Sequence, residues 1–558
     1  MVSGKYLWFP IVLFVVVVVW VNPIREAPVL DDWAYALTVR RLLETGEYKL
    51  HEFAGANLPF QVYWGALFAR SLGYTHSSLR LSTLVLSFLG LVAFYCLARE
   101  HGLSPPTAGL LTLVMLSCPL IVRMSFSFMT NVSALALSIM SLFFYTRGLR
   151  SSSVVFMSLA SLTAVAAILT RQFCAAIVPG VIVTAMLFRD LRIPRWQVVL
   201  SLALPTMAAA WQLHAGMRDP NWGAIHFTEL QTRYLLDAGG LAGNILGRPT
   251  VILQYLVLFS LPLAPIALVH WISLIRSKSP GPPGRSSEGG VTGIRAPILV
   301  AGGFVLYVAT GVVFAHVFGC ADWLISDLPW NFGSLVGFTA LGRWFLTFIT
   351  VIGSGLYGWL LLSRYLPREN WARISPSQRL LDFVTLFFFV EILLFCTIGD
   401  LYLLVLLPFT LIALGRGLEP HLIRLGKPVI VLSLIMLALS ATWTRGLLAG
   451  QEASWEAAGH LSRKGISSKE ISGLWTWMMY HRFDEFLREA LEEAKPAQRD
   501  IHIRLDGWLA KKREEARFHI TPDRNDPPGE RWRILEEASY RGALLGTRHI
   551  YVKERVER

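Results

Sequence analysis

The chain has few of the residues that build metal centres. Its five cysteines all lie in or beside apolar runs and lack the spacing of metal ligands; they are Cys96, Cys118, Cys174, Cys320 and Cys396. His51 and His226 have no second histidine at metal-binding distance along the sequence. Packing in an apolar core is therefore the expected role of the cysteines, and the histidines are expected to be surface residues.

Acidic side chains are almost missing from the apolar runs, where Glu391 is the only obvious carboxylate. Repeated halves with matching breaks at glycine or proline are missing as well, although a secondary transporter is typically built from them. A transporter remains an alternative function for a polytopic chain, but the sequence does not favour it.

Hydrophobic residues make up 54% of the 558 residues, and the mean hydropathy is +0.50. Both values exceed those of a soluble globular chain and predict an α-helical polytopic membrane protein. About thirteen spans are predicted, at Ile11–Val21, Leu79–Leu97, Ala108–Val122, Val132–Tyr145, Val154–Thr170, Phe173–Phe188, Val198–Leu213, Val251–Ile275, Pro297–Phe318, Trp344–Leu362, Leu380–Ile398, Leu401–Leu414 and Val429–Trp443.

The net charge of +13 is explained by membrane topology and does not indicate a nucleic-acid partner. From Ala449 to the end, twenty basic residues balance nineteen acidic ones, so the excess lies among the spans. Basic residues cluster in alternate loops, which the positive-inside rule assigns to the cytoplasm. Lys5 then places the amino terminus inside, and an odd number of spans places the carboxy-terminal segment outside.

Two units are expected. Residues 1–447 form the membrane unit, with a first outer loop at 23–76 and a Ser/Pro/Gly-rich cytoplasmic linker at 276–295. The first apolar run lacks a signal-peptidase site and is expected to stay as a span. Residues 448–558 turn polar and predict a small extracytoplasmic α/β or α+β unit, with a helix at Ser454–Lys464 and strands at Ile501–Leu505 and His549–Val552.

The adjacent carboxylates Asp31 and Asp32 follow the first span and are the leading candidates for chemistry. Neighbouring acids at a membrane surface repel each other, so a metal ion, a cationic partner or a proton-accepting role would offset that cost. The alternative is structural, because either aspartate can cap a helix over Trp33–Glu44 that stops at Gly46. Both interpretations can hold together.

Other polar and aromatic residues gather at the outer span ends and outer loops. They include three arginines and five further candidates for substrate binding, namely Arg80, Arg123 and Arg171, and Tyr35, Tyr63, Gln172, Asp400 and Tyr402. A carboxylate cluster ringed by arginines suits a site that deprotonates an acceptor while it holds a lipid-linked phosphate. For each arginine, ordinary snorkelling at the interface is the alternative.

The segment Pro28–Tyr48 resembles the first outer loop of the GT-C glycosyltransferases, which include the protein O-mannosyltransferases and the aminoarabinose transferase of lipid A. The resemblance lies in the acidic pair, the segment Pro59–Trp64, Arg80 at the second span, Ser125–Val132, and Leu169–Gln172. It extends to Asp400–Leu404 and to a carboxy-terminal outer unit, with the acidic pair as its specific part.

The resemblance implies an inverting transferase that takes a sugar from a polyprenyl-phosphate donor at the outer face of the cell membrane. Asp31 would be the catalytic base, with Asp32 as an orienting or metal-binding neighbour. Arg80, Arg123 and Arg171 would hold the lipid phosphate, and the acceptor would be a lipid, a glycan or a protein. A divalent metal ion is the one cofactor that stays open.

Three positions depart from the family pattern. Asn131 stands where many relatives carry an acidic residue, so a metal site built from two loops would lose one charge. Leu58 replaces the phosphate-binding lysine of the aminoarabinose transferases, and Leu401 replaces the arginine of a common Asp-Arg-Tyr pattern. A changed donor or acceptor would explain them, and a catalytically inactive, lipid-binding scaffold is the alternative.

Overall fold

The computed structural model describes residues 4–55, 57–187, 193–218, 221–276, 298, 300–310, 312, 340–363, 375–395, 399–492, 501–526, 531–542 and 546–556. The expected linker at 276–295 lies outside these residues, except for Arg276. Of the expected span at Pro297–Phe318, the described residues form the apolar helix Val300–Thr310.

Most described residues are helical, because the sequence is dominated by long apolar runs. The first half of the chain forms α1 Lys5–Val21, α2 Asp32–Thr45, α3 Pro59–Leu72, α4 His76–Glu100, α5 Pro105–Ser117, α6 Pro119–Ser125, α7 Thr130–Ser151, α8 Val154–Ile168, α9 Ile177–Leu187, α10 Arg195–Arg218, α11 Trp222–Leu236, α12 Ala238–Phe259 and α13 Ala264–Arg276.

The second half continues with α14 Val300–Thr310, α15 Ala340–Ser363, α16 Pro376–Leu394, α17 Asp400–Leu403, α18 Leu407–Arg463, α19 Trp475–Glu492 and α20 Ile501–Glu515. Four strands lie near the end of the chain, β1 Ile471–Ser472, β2 Phe518–Thr521, β3 Trp532–Arg541 and β4 Thr547–Arg555.

Five described helices are long and apolar enough to cross a membrane, or six if α5 and α6 form one bent span. The bend between α5 and α6 is 68° and falls where Pro119 opens α6, because proline cannot continue the hydrogen bonding of the preceding helix. Shorter apolar helices, among them α1, α8 and α14, pack beside them. The protein is thus a multi-pass helical membrane protein, as the sequence predicted.

The long helix α18 begins and ends at the same end of the bundle. Leu401, just before it, packs against the same apolar cluster as Leu30, and Glu452 near its end pairs with Arg25. Because these partners lie in one outer loop, a straight helix of this length could not reach both of them.

The part of α18 before Leu425 reaches the opposite end of the bundle, where Arg416 donates hydrogen bonds to the carbonyl oxygen of His101. At Leu425 the backbone leaves the helical region, with φ −121° and ψ 29°. The chain therefore doubles back near Leu425, so the predicted spans Leu401–Leu414 and Val429–Trp443 are separate.

Small residues lie where the helices of the bundle contact each other. A Cβ placed on Gly90 of α4 would lie 2.6 Å from the Cβ of Ala136 in α7. Cys118 and Cys174 are buried in the same apolar core, as the sequence predicted for them. Glycine and alanine thus allow the close backbone approach that stabilises helix packing in a membrane.

The carboxy-terminal unit contains a four-stranded sheet in the order β1-β2-β4-β3. Strands β1 and β2 are parallel, and the other two pairings are antiparallel. The predicted helix at Ser454–Lys464 is the end of α18, which continues unbroken past the expected boundary at 447/448. The predicted strand at His549–Val552 lies within β4.

The predicted strand at Ile501–Leu505 was wrong, because this segment opens helix α20. The alternation of apolar and polar residues in the first five positions is typical of a strand. Leu505 and Trp508, however, lie three residues apart and pack against Phe486 of α19, so the helical period decides the structure.

Candidate active site

Helix α2 begins at the acidic pair. Leu30 adopts a left-handed backbone conformation, with φ 56°, and Asp31 occupies the N-cap position before the helix starts at Asp32. Gly46 follows its last residue with φ 75°. The expected helix over Trp33–Glu44 is therefore present, but the Asp31 side chain makes no capping hydrogen bond, so capping does not account for it.

Asp32 holds two backbone segments together. Its Oδ1 accepts a hydrogen bond from the Val29 amide at 2.6 Å, and its Oδ2 accepts one from the Phe128 amide at 3.0 Å. The residue is 2% exposed, and burial raises the pKa of its carboxyl to about 6, against the opposing effects of Arg80 and the two amides. Asp32 thus ties the start of α2 to the loop before α7.

Asp31 has a different environment. Among the described residues, its carboxylate has no hydrogen-bond partner, and the side chain is only partly exposed. Burial raises the pKa of this carboxyl to about 6. Burial raises the pKa of Tyr35 most, and the charge of Asp31 raises it next. Arg171 lowers the pKa of Tyr35, and Tyr402 raises it. Tyr35, Arg171 and Tyr402 therefore share one electrostatic environment with Asp31.

Arg171 brings the positive charge to this group. Its guanidinium carbon lies 4.6 Å from the centre of the Tyr402 ring and 5.0 Å from the centre of the Phe173 ring. Its Nη1 donates a long hydrogen bond of 3.5 Å to Oγ1 of Thr130, at the start of α7. These aromatic faces hold the cation without neutralising it, so it can still bind an anion.

Arg80 has a structural role in this geometry. It is 1% exposed and donates hydrogen bonds to the carbonyl oxygens of Pro23 at 2.7 Å, Arg25 at 3.0 Å and Ala27 at 3.0 Å. The structure therefore places Arg80 beneath the outer loop, where it fixes the path of the chain toward α2. The assignment of Arg80 to the donor phosphate stays a prediction.

The other predicted residues are more scattered. Arg123 is buried in α6. Tyr63 is 55% exposed on α3 and stacks against Tyr48 at 6.1 Å, and Gln172 is exposed. The side chain of Asp400 lies outside the described part of the chain. The structure thus brings together Asp31, Asp32, Tyr35, Arg171 and Tyr402 from the predicted set.

Sequence reasoning missed an aromatic cluster beside the acidic pair. Trp33 is fully buried, and its ring centre lies 5.0 Å from that of His51, 5.1 Å from that of Phe53 and 5.8 Å from that of Phe483. Phe483 is 450 positions away along the chain. The only sequence signal is the amphipathic pattern of α19, which does not say what its apolar face covers.

The described donors beside Asp31 do not fit a divalent metal ion. Among the described residues, no group of three or more His, Cys, Asp or Glu side chains is arranged to hold one. Both oxygens of Asp32 already accept backbone hydrogen bonds, and Asn131 contributes a neutral amide instead of a second acid. Hard divalent cations are held by several oxygen ligands, more than Asp31 alone provides.

No protein-family model matches the sequence, and no curated protein matches it. Among solved structures, ArnT from Cupriavidus metallidurans bound to undecaprenyl phosphate aligns at 15% identity and a TM-score of 0.44, over 99% of this chain and 98% of that one. The apo oligosaccharyltransferase of Archaeoglobus fulgidus aligns at 12% identity and a TM-score of 0.46, over 93% and 70% of the two chains.

A further structure of the archaeal oligosaccharyltransferase, in complex with Zn and sulfate, aligns at 11% identity and a TM-score of 0.41, over 91% of this chain and 67% of that one. Identities and TM-scores at this level do not transfer residue roles or substrates between proteins.

Proposed function

We propose that the protein is an inverting glycosyltransferase. It transfers a sugar from a polyprenyl-phosphate-linked donor to a lipid, glycan or protein acceptor at the outer face of the cytoplasmic membrane. The observation that carries this proposal is the contrast between the two aspartates. Asp32 is committed to two backbone amides, whereas Asp31 accepts no hydrogen bond from the described residues and stays partly open.

Asp31 has the properties of a general base. A pKa raised to about 6 leaves the carboxylate ionised at pH 7 to 8 and makes it a better proton acceptor than an aspartate in water. In the proposed reaction it removes the acceptor proton as the acceptor oxygen attacks the anomeric carbon. The bond from that carbon to the phosphate oxygen breaks, its electron pair leaves with the polyprenyl phosphate, and the configuration inverts.

Arg171 is the proposed phosphate ligand. It shares the environment of Tyr35 with Asp31 and lies against the ring of Tyr402, so base and cation border one site. A guanidinium can donate two parallel hydrogen bonds to phosphate oxygens and stabilise the charge that develops on the leaving group. No step is assigned to a metal ion, because the donor set does not fit one.

The orientation follows from the charge pattern. Basic residues cluster in the loops at the end of the bundle opposite to Asp31, for example Arg147 and Arg150, which pair with Glu100. The positive-inside rule puts that end in the cytoplasm and Asp31 outside. A donor whose phosphate lies at the outer surface and whose chain lies in the bilayer fits this arrangement.

The test is sugar transfer by the purified full chain in lipid nanodiscs, with a panel of polyprenyl-phosphate sugars and with or without a chelator. Asp31→Asn is compared with the wild type and with Asp237→Asn, a matched control. Asp237 is an exposed residue whose side chain caps α12, a role that asparagine preserves. We expect Asp31→Asn to lower kcat by roughly 10²- to 10⁴-fold, the usual contribution of a general base.

The anomeric configuration of the product, read by NMR, tests inversion. Retention of configuration would contradict direct displacement. If no donor in the panel is consumed while a polyprenyl phosphate still binds, the scaffold alternative replaces the transferase. If none binds, transport is the function to test. Loss of turnover on chelation would overturn the metal-free assignment but leave Asp31 as the base.

A further inference from the structure

Helix α2, which carries the acidic pair, is held on two sides. On one side Ala36, Val39 and Leu42 pack against the apolar face of α3. On the other side Trp33 and Leu37 pack against α19 of the carboxy-terminal unit. The residues of each set lie three or four positions apart, as residues on one helix face do. The position of α2 therefore depends on α19 as well as on the membrane unit.

The contact with α19 centres on Phe483. Its ring centre lies 5.8 Å from that of Trp33, 5.2 Å from that of His51 and 5.5 Å from that of Phe53. Trp33 belongs to α2, and His51 and Phe53 belong to the first outer loop. Phe483 of the carboxy-terminal unit thus lies among three rings of the membrane unit, and it is itself 2% exposed.

A second contact fixes the same pair of helices. Tyr480, three residues before Phe483 on α19, interacts electrostatically with the side chain of Arg40 on α2. Arg40 also pairs with Glu44 at 2.7 Å. Since Trp33 and Arg40 lie seven positions apart, the two contacts are about two turns apart on the same face of α2.

The cluster is neutral and therefore stays packed near neutral pH. Burial lowers the pKa of His51 to about 4, with Asp484 opposing this effect, so the imidazole is uncharged at pH 7. The backbone of His51 is held as well, because its amide donates to Oγ1 of Thr38 at 3.1 Å and its carbonyl accepts from Asn221 at 2.8 Å. Phe483 thus contacts an uncharged ring whose backbone is fixed by hydrogen bonds.

We propose that Phe483 is a positioning residue of the transferase: acting through Trp33, it holds the first turn of α2 and keeps Asp31 in the geometry that the transfer requires. The inference rests on the proposed function, since it assigns Phe483 a part in the same reaction. Trp33 lies two residues after Asp31, so a shift of the indole moves the backbone that carries the base. Displacement of a catalytic group by about 1 Å can lower the rate by roughly 10²-fold.

The test compares Phe483→Leu with Trp477→Leu in the full chain in nanodiscs. Trp477 is a matched control, because it is a 4% exposed aromatic residue of the same helix that packs against Trp455 and His481. Both changes remove a ring and leave a branched apolar side chain. Hydrogen exchange of residues 28–38 reports whether the start of α2 has loosened, and it can be read whether or not the protein transfers sugar.

We expect Phe483→Leu to speed exchange at residues 28–38 and to lower kcat at least 10-fold, with the donor KM within about 3-fold of the wild type. The acidic limb of the pH–rate profile should also move to lower pH as water reaches Asp31. Phe483→Tyr, which restores a ring, should recover most of kcat. Neither variant alters the titratable groups that surround the base, which are Asp32, Tyr35, Arg80, Arg171 and Tyr402.

The proposal is overturned if Phe483→Leu leaves exchange at residues 28–38 unchanged, or if Trp477→Leu produces the same loosening and the same loss of kcat. A shifted KM at constant kcat would also overturn it, because that pattern belongs to substrate binding. A wild-type protein without transfer activity would overturn the proposed function instead, while the exchange comparison would still decide whether Phe483 holds α2.

Discussion

The two aspartates are expected to respond differently to the same substitution. In Asp32→Asn, an NH₂ group replaces one of the two side-chain oxygens. The remaining oxygen still accepts a hydrogen bond from the amide of Val29 or of Phe128, and the NH₂ group faces the other amide. One hydrogen bond to a buried carboxylate is lost, and two donors then face each other. A bond of this kind contributes about 1.5–3 kcal/mol. With the other bond kept, the segment should open more readily by about 2–3 kcal/mol, which is a factor of roughly 30 to 150 in the opening equilibrium.

Hydrogen exchange by mass spectrometry at pH 7.5 measures this effect. We expect amides near Val29 and Phe128 to exchange roughly 30- to 150-fold faster in Asp32→Asn. Asp31→Asn should leave both segments within about 2-fold of the wild type, because no described residue donates a hydrogen bond to Asp31. Turnover should fall in both variants. Unchanged exchange in Asp32→Asn, or equal exchange in the two variants, would refute the division of roles.

Three further outcomes are expected. The rate should fall as pH drops through about 6, because protonation removes the base at Asp31, whose pKa burial raises to about 6; an acidic limb near pH 4, seen in initial rates, would contradict this. Arg171→Gln should weaken binding of polyprenyl phosphate by roughly 10- to 100-fold in calorimetry, and Arg171→Lys by less, whereas equal affinities would remove this residue from the phosphate site. Gly90→Ala should lower the free energy of unfolding by about 1–3 kcal/mol and lower the melting temperature, because the new Cβ would lie 2.6 Å from the Cβ of Ala136. Gly243→Ala, where a Cβ has no atom within 4 Å, should leave the melting temperature unchanged.

Composition and apolar periodicity were enough to predict the fold class. The long apolar runs predicted the membrane helices, and Gly46 marked the end of α2 correctly because a left-handed position after a helix favours glycine. Local pattern failed at Ile501, where a short alternation suggested a strand. A strand and a helix cannot be told apart over five residues, and the contact with α19 decided for the helix.

The candidate site was predicted only in part, for a physical reason. Asp31 and Asp32 are adjacent and of one type, so the sequence could mark the pair but could not divide the roles between them. The division depends on the Phe128 amide, which lies 96 residues away and meets Asp32 only in the folded chain. Arg80 and Arg171 were likewise equal candidates in the sequence. Only the structure shows that Arg80 donates to backbone carbonyl oxygens, whereas Arg171 lies against aromatic rings.

The sequence by itself determined that this is a multi-pass membrane protein with a polar carboxy-terminal unit and an acidic pair after its first span. Those features depend on residue type and on spacing along the chain, which local physical chemistry can interpret. Only the tertiary structure decided which aspartate stays open, which arginine joins it, and that Phe483 reaches Trp33. Burial, hydrogen-bond partners and ring contacts join residues distant in the chain, and no local pattern encodes them.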